Sequence, residues 1–466
     1  MTQIKVRAAA GGHVPAMDIP TLLARYDRRV PRYTSYPTAP HFTAAVDAPA
    51  YAAWLAALDP ALPVSLYLHV PFCARLCLFC GCNTKVMRHP APAAAYAARL
   101  RAEIAQVAHA IGRRLRVAHI HWGGGTPHAL AGDDLRAVTT SLREHFSVLP
   151  DAEIAIEVDP RTLDAGHLAA LADIGMTRAS IGVQDFDPLV QKTIGREQSL
   201  ALTAAVAADL RRAGARSLNL DLVYGLPHQT MAGVVGTIRA ALALAPDRVA
   251  VFGYAHVPWM MRRQAVLPEQ ALPGPAERFA QCTAAGEELV AAGYQRIGLD
   301  HFALPEDHLA QAARAGTLRR NFQGYTADPA ATLLGFGASA IGALPQGYVQ
   351  NLPDALTYGA AVDAGRLPVA RGAALTGEDR LRRAVIETLM CRLEVDLAAL
   401  AARFGACPEV LESAFPALDA LEADGLARRS GWRVSATAAG RPFLRAIAAA
   451  FDTYLTEHPA RHAQAV

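Results

Sequence analysis

Ten residues hold the densest chemistry in the chain: Cys73-Ala-Arg-Leu-Cys77-Leu-Phe-Cys80-Gly-Cys82 carries four of its seven cysteines. Neighbours this close rarely reach the geometry a disulfide needs, and four thiols in one short loop point to a shared metal centre, here an iron–sulfur site. In CxxxCxxC spacing, Cys73, Cys77 and Cys80 can wrap three corners of a four-iron cube and leave the fourth iron open. Electron-transfer ferredoxins close their clusters with a fourth cysteine, so an open corner suggests chemistry on a bound molecule. Cys82 is the alternative, since a fourth thiolate would give a closed electron carrier or a tetrahedral zinc site. With only Gly81 between them, Cys80 and Cys82 would be strained in reaching different corners, and Cys82 is left out of the ligand set.

The longer run, Tyr67-Leu-His-Val-Pro-Phe-Cys73 through Cys82-Asn-Thr-Lys85, resembles the radical S-adenosylmethionine (SAM) superfamily. Within it the chain is similar to the bacterial oxygen-independent coproporphyrinogen III oxidases, in which CxxxCxxCxC is typical. The resemblance implies one [4Fe–4S] cluster whose open iron is chelated by the amino and carboxylate groups of SAM. One electron then splits the sulfonium and leaves a 5′-deoxyadenosyl radical. It implies catalytic roles for Tyr67 and Glu157, and contacts to the cofactor from Tyr67, Phe79, Gly124, Gly125, Thr126 and Glu157. A second SAM beside the first is implied at Gln184, Arg196 and Asp221, with Ala255 and Ile341 aligned to further contacts. Val30-Pro-Arg-Tyr-Thr-Ser-Tyr-Pro-Thr38 also matches and is expected as a lid, with Arg32 as a fork for a substrate carboxylate.

Some of these residues have a use that needs no family. Gly123, Gly124 and Gly125 have no Cβ, so backbone there can approach a ligand closely. A carboxylate at Glu157 can accept from ribose hydroxyls or an ammonium. Gln184, Arg196 and Asp221 lie at or near the ends of buried strands, where polar groups need partners; a ligand or a network among the three would supply them.

Something must bring these residues together. From about residue 63 short β-rich runs alternate with alanine- and leucine-rich helical stretches, the pattern of βα units on a parallel sheet. Strands are expected at 64–71, 117–122, 153–158, 178–183, 217–223 and 248–254. Helices are expected at 92–115, 133–145, 163–174, 200–213 and 231–244. Six units make an α/β fold, an open partial (β/α)6 TIM-type barrel, whose functional loops leave the C-terminal strand ends. The cysteine loop, the glycine run, Glu157, Gln184, Asp221 and Ala255 fall at or just after such ends. Beyond the barrel, 297–302 reads as another strand, and the glycines of 334–342 let backbone pack against something flat and large. Helices at 379–390, after Asp396, at 408–421 and at 442–455 surround a hairpin turning at Ser430-Gly431. The expected domains are an N-terminal arm and lid (1–62), a catalytic barrel with extension (63–370) and a small mainly helical C-terminal domain (371–466).

Composition narrows the classes. Apolar residues make up 52%, much of it alanine, and no stretch of about eighteen apolar residues suggests a membrane span. Met1-Thr-Gln-Ile-Lys-Val-Arg lacks the apolar core of a secretory signal, and free thiols suit a reducing compartment, so a cytoplasmic protein is expected. A formal charge of +3 argues against a general polyanion partner, and no nucleic acid is expected. The resemblance implies oxidative decarboxylation of two propionates of coproporphyrinogen III to vinyl groups, giving protoporphyrinogen IX. A tetrapyrrole substrate, a flavodoxin- or ferredoxin-like electron donor, an electron acceptor and a monomer complete the expectation. The alternatives are a haem-binding chaperone on the same fold and a metal-stabilised regulator touching nucleic acid through Arg428, Arg429 and Arg433.

Overall fold

A computed structural model describes residues 18–87 and 89–455. The expectations for residues 1–17 and 456–466 lie outside the described residues. Twelve strands form one sheet: β1 (Val64–Val70), β2 (Arg116–Gly124), β3 (Ser147–Val158), β4 (Arg178–Gln184), β5 (Ser217–Tyr224), β6 (Arg248–Gly253), β7 (Gln295–Ile297), β8 (His301–Ala303), β9 (Thr332–Phe336), β10 (Ile341–Leu344), β11 (Gly347–Asn351) and β12 (Val369–Ala374). The spatial order is 12-11-10-9-1-2-3-4-5-6-8-7. Strands β9 and β1 to β6 run parallel to their neighbours in that row, and the outer strands are antiparallel. This is the open barrel expected from the alternating pattern, extended by a parallel strand beside β1.

The parallel strands hold together because helices cover their outer face. Helix Ala91–Ile111 buries Tyr96, Leu100, Ile104, Val107 and Ile111 at helical spacing and stops at Gly112, whose φ of 72° suits a residue without Cβ. The inner face is polar at its floor. Glu153 accepts from Arg178 at 2.8 Å and pairs with His119 at 3.0 Å, while Arg248 and Ser217 meet Asp307 at 2.7 and 3.1 Å. Though burial opposes it, hydrogen bonds donated to Asp328 and Glu153 hold the His119 imidazole above its ordinary pKa. A floor filled with paired charges leaves the C-terminal strand ends as the open face.

Four local expectations are corrected. The segment read as one strand at 297–302 is a tight turn between β7 and β8, because Gly298 sits at φ 57° and reverses the chain. The glycines near 334–342 serve chain-to-chain packing rather than a flat ligand: a Cβ on Gly335 would lie 2.9 Å from the Ile341 carbonyl, and one on Gly337 2.4 Å from His69 O. The segment 408–421 begins as a 3-10 turn (Pro408–Ala414) before helix Phe415–Ala423, and the last helix is only Leu444–Ala449. Among its described residues the arm carries two α-helices. Helices Ile19–Tyr26 and Ala48–Ala56 start at Asp18 and Asp47, whose side chains accept from the first-turn N–H groups.

The C-terminal region has its own core, and the arm shares it. Leu381, Val385, Leu389, Leu418, Phe443 and Ile447 pack with Leu22, Leu23, Tyr26, Tyr33 and Tyr36. Polar ties reinforce the seam, with Asp424 accepting from Tyr26 at 2.5 Å and from Arg25 at 2.6 Å, and Asp452 accepting from Tyr33 at 3.0 Å.

Candidate active site

The cysteine loop leaves the C-terminal end of β1 and is stitched to its neighbours by backbone. Gly125 N–H donates to Val70 O and Thr126 N–H to Phe72 O, both at 2.8 Å, so the glycine run after β2 lies against the start of the loop. A Cβ on Gly125 would lie 2.6 Å from Phe72 O and 2.9 Å from Cys73 Sγ. That position therefore needs glycine for space. Thr126 Oγ1 stands 3.7 Å from the same sulfur. Farther along, Leu78 N–H donates to Ile194 O at 2.9 Å and Arg263 Nε to Cys80 O at 2.8 Å.

Charge around the thiols matches thiolate ligands. Arg161 Nη2 and Arg196 Nη1 donate to Cys77 Sγ at 3.2 and 3.4 Å, and Asp159 accepts from Arg161 Nη2 at 2.6 Å. Burial would raise the Asp159 carboxyl, but the Arg161 hydrogen bond and the Arg196 charge pull it down to about 2. The Cys80 thiol is also lowered, mainly by its hydrogen bond from Cys82, with Arg263 and Arg196 nearby. Burial pushes Cys73 up. Cys82 is exposed and donates its N–H to Cys80 Sγ at 3.3 Å. Among the described residues, no three His, Cys, Asp or Glu side chains converge on the spacing of a single metal ion. Three thiols on one loop, two guanidiniums on one sulfur and a floor with no room for a Cβ fit a cluster larger than one ion.

The remaining site residues line the rim in register. Glu157 at the end of β3 accepts from Gly124 N–H and pairs with His121 Nε2, both at 3.1 Å. Burial lowers the pKa of His121, so this contact is a neutral imidazole donating to a carboxylate. Tyr67 O–H lies 3.0 Å from His69 Nδ1, and His69 Nε2 lies 3.3 Å from Asn83 O. A carbonyl only accepts, so Nε2 carries the proton and Nδ1 accepts from Tyr67. Burial, then the Glu157 charge, keeps the Tyr67 phenol well above its ordinary range and therefore neutral. Tyr67 shares an apolar cluster with Ile341.

Gln184, Arg196 and Asp221 do not form a network with one another among the described residues. Asp221 accepts from Ser180 and Asn219, both at 2.8 Å, and burial raises its carboxyl. Arg196 donates to Gly182 O at 2.6 Å, while its buried Nε has no partner. Gln184, at φ 71°, brings its Nε2 to within 2.9 Å of where a Gly182 Cβ would stand. Gln264 Nε2 ties Phe79 O to Ala255 O at 2.8 and 3.2 Å. Arg32 stands apart from the cysteine loop, donating to Gly253 O at 3.0 Å on the rim beyond β6.

Sequence reasoning missed Arg161, Arg263, Gln264 and His69. His69 was inside a quoted motif, and Arg161 follows Asp159 by two residues in a turn where Asp159 Oδ1 accepts the Arg161 N–H at 3.1 Å. An Asp-x-Arg just past a strand end was the available signal.

Comparison with known proteins agrees with this geometry. The chain matches the radical SAM superfamily over residues 67–241 and the HemN C-terminal domain over residues 375–443. It is 50% identical over 440 residues to the oxygen-independent coproporphyrinogen III oxidase of Bradyrhizobium diazoefficiens, covering 94% of this chain and 98% of that one. The enzyme of the same name from Paracoccus denitrificans is 46% identical, covering 93% and 96%. Among solved structures, Escherichia coli coproporphyrinogen III oxidase (HemN), described as a radical SAM enzyme, superposes with a TM-score of 0.87 at 37% identity, covering 94% of this chain and all of that one.

Proposed function

The chain belongs to the oxygen-independent coproporphyrinogen III oxidases of the radical SAM superfamily, and on that footing we propose how its own residues serve the reaction. It is an oxidoreductase that turns two propionates of coproporphyrinogen III into vinyl groups, giving protoporphyrinogen IX without oxygen, and it uses a [4Fe–4S] cluster and SAM. Each propionate loses one hydrogen atom, one carbon dioxide and one electron, which passes to an acceptor. An unactivated β-hydrogen offers no acidity to a base, and the bound cluster and SAM supply the hydrogen-atom abstraction.

The chain supplies grip and orientation. Cys73, Cys77 and Cys80 hold the cluster, and Arg161 and Arg196 stabilise negative charge on the Cys77 sulfur. Gly124 and Gly125 let backbone close against SAM, with Thr126 beside them. Glu157, fixed by His121 and Gly124, presents a carboxylate, and neutral Tyr67 borders the same apolar cluster as Ile341. Phe79 lines the first SAM, and Gln184, Arg196, Asp221, Ala255 and Ile341 form the adjoining wall for a second, where the bare Arg196 Nε and the raised Asp221 carboxyl leave polar capacity. Arg32 faces the substrate side. Cytoplasmic location, a monomeric state, a flavodoxin- or ferredoxin-like donor and no nucleic acid partner belong to the same reading. The seven free thiols suit a reducing compartment, and among the described residues no helix is long and apolar enough to cross a membrane.

The observation that carries this reading is the Cys77 sulfur on the rim, capped by two guanidiniums beside the glycine floor. Anaerobic turnover of coproporphyrinogen III followed by mass spectrometry tests it. Loss of two carbon dioxide units is expected from the native enzyme and none from Cys77→Ala. Substrate returned unchanged by iron-loaded native protein sinks the reading.

A further inference from the structure

A cavity of about 350 Å³ lies beyond the end of β6, where the arm, the barrel and the C-terminal domain meet. Arg29 and Arg32 reach it from the arm, Arg278, Arg296 and Arg320 from the barrel side, and Arg441 and Arg445 from the C-terminal domain. Asp300 is the one carboxylate among the described residues of its wall. In a chain whose formal charge is +3, seven arginines around one hollow is a strong local excess.

Arg32, Arg296, Arg320 and Arg441 are fixed by groups that carry no full negative charge. Arg32 donates to Gly253 O, Arg320 Nε and Nη2 to Arg32 O at 3.3 and 3.1 Å, and Arg441 Nε and Nη2 to Gly298 O at 3.1 and 3.0 Å. Arg320 lies on the Tyr325 ring at 4.4 Å and Arg296 over Phe302 at 5.2 Å. Carbonyl oxygens and ring faces fix a guanidinium without cancelling its charge. Among the described residues no carboxylate stands at ion-pair distance from Arg32, Arg296, Arg320 or Arg441, and Arg320 Nη1 is buried with no hydrogen-bond partner. The strain appears in the ionisation of the wall. Burial, then the neighbouring charges of Arg32 and Arg296 respectively, pull Arg445 down to about 9 and Arg441 to about 10. Asp300 is consumed locally: despite burial, its hydrogen bond from His301 and the charges of Arg320 and Arg32 hold it far below the carboxylate range.

A hollow of this kind is built for a multiply anionic ligand, and planar guanidinium forks suit carboxylates. Ala255, assigned above to the second SAM, lines the same cavity, so the hollow adjoins the reacting centre. We propose that this cavity seats the propionates of the substrate that are not reacting, with Arg296, Arg320 and Arg441 as the principal forks alongside Arg32. The assignment rests on the coproporphyrinogen reading and extends it. Two propionates remain carboxylates throughout, so the same wall retains the tetrapyrrole between its two decarboxylations.

The test uses the full-length, anaerobically cluster-loaded protein and coproporphyrin III, a stable fluorescent tetracarboxylate. Arg320→Gln and Arg296→Gln are each expected to raise the Kd about tenfold or more, as loss of a charged hydrogen-bonding partner does. Arg320→Lys should recover part of that loss. In turnover, KM for coproporphyrinogen III should rise more than kcat falls, and the tetramethyl ester should bind the native protein far more weakly than the free acid. Arg99→Gln, which breaks a surface pair with Asp363, should leave binding unchanged. If both Gln variants keep the native iron content and melting temperature and bind coproporphyrin III as the native protein does, the assignment is overturned while the reaction stands. If native protein neither binds nor converts the tetrapyrrole, both fall. Should Arg320→Gln fail to fold, Arg296→Gln decides.

Discussion

At the scale of single residues, the sulfur of Cys77 is governed by a neighbour the ligand spacing does not reveal. Arg161 is braced by Asp159 and donates to that sulfur at 3.2 Å. Hydrogen bonds to cluster sulfurs favour the reduced, more negative state. Arg161→Gln is therefore expected to shift the cluster's midpoint potential negative and to speed iron loss to a chelator, measured by an anaerobic redox titration followed by electron paramagnetic resonance. The three thiols proposed as ligands could be picked out because residue type and spacing are both written in the chain. Arg161 could not, because its role depends on a turn that aims a long side chain across to another loop. Glu157 sits between these cases: its position at a strand end was legible, its pairing with His121 was not.

At the scale of elements, two positions convert packing into measurable outcomes. Gly125→Ala would drive a methyl toward Phe72 O and Cys73 Sγ; overpacking of this kind costs about 1–3 kcal/mol. The expected result is a folded protein with a lower melting temperature and substoichiometric iron. Glu103, inside helix Ala91–Ile111, accepts from Gly337 N–H and Tyr358 O–H at 2.7 Å and from Asn351 Nδ2 at 2.6 Å. Burial raises its carboxyl from 4.5 to about 7 despite those donors. The folded protein keeps this proton where the unfolded chain has released it, so the favourable contribution is full below pH 4.5 and fades by about pH 7. Relative to Glu103→Gln, the native protein should lose about 3 kcal/mol of stability across that window, read from urea unfolding at pH 4.5 and 7.5. The parallel strands were legible as buried runs between helical stretches. Strand β9 was hidden because Gly335 and Gly337, needed where β1 and β10 crowd it, look like loop residues. Of the C-terminal arginines that only the nucleic-acid alternative would use, Arg429 pairs with Asp419 at 2.6 Å and covers the Phe415 ring, and Arg433 faces Asp396.

At the scale of the whole molecule, the first and last parts of the chain complete one core over the arginine-lined hollow. The seam depends on Asp424, whose side chain is 7% exposed while accepting from Arg25 and Tyr26. Asp424→Ala leaves the Tyr26 hydroxyl without that partner and should cost about 1–3 kcal/mol, with faster tryptic cleavage after Arg28 and Arg29 as the readout. An N-terminal arm was an expectation from the sequence; that it would be walled in by residues some 400 positions later was not, because no local pattern encodes a contact of such separation. The same arrangement sets a timetable for synthesis. Residues 18–36 leave the ribosome well before the surfaces that bury Leu22, Tyr26 and Tyr33 are made. At ordinary rates of translation the segment waits on the order of 20 to 80 s for its partner. During that interval its apolar and aromatic side chains are bare to whatever binds nascent polypeptides.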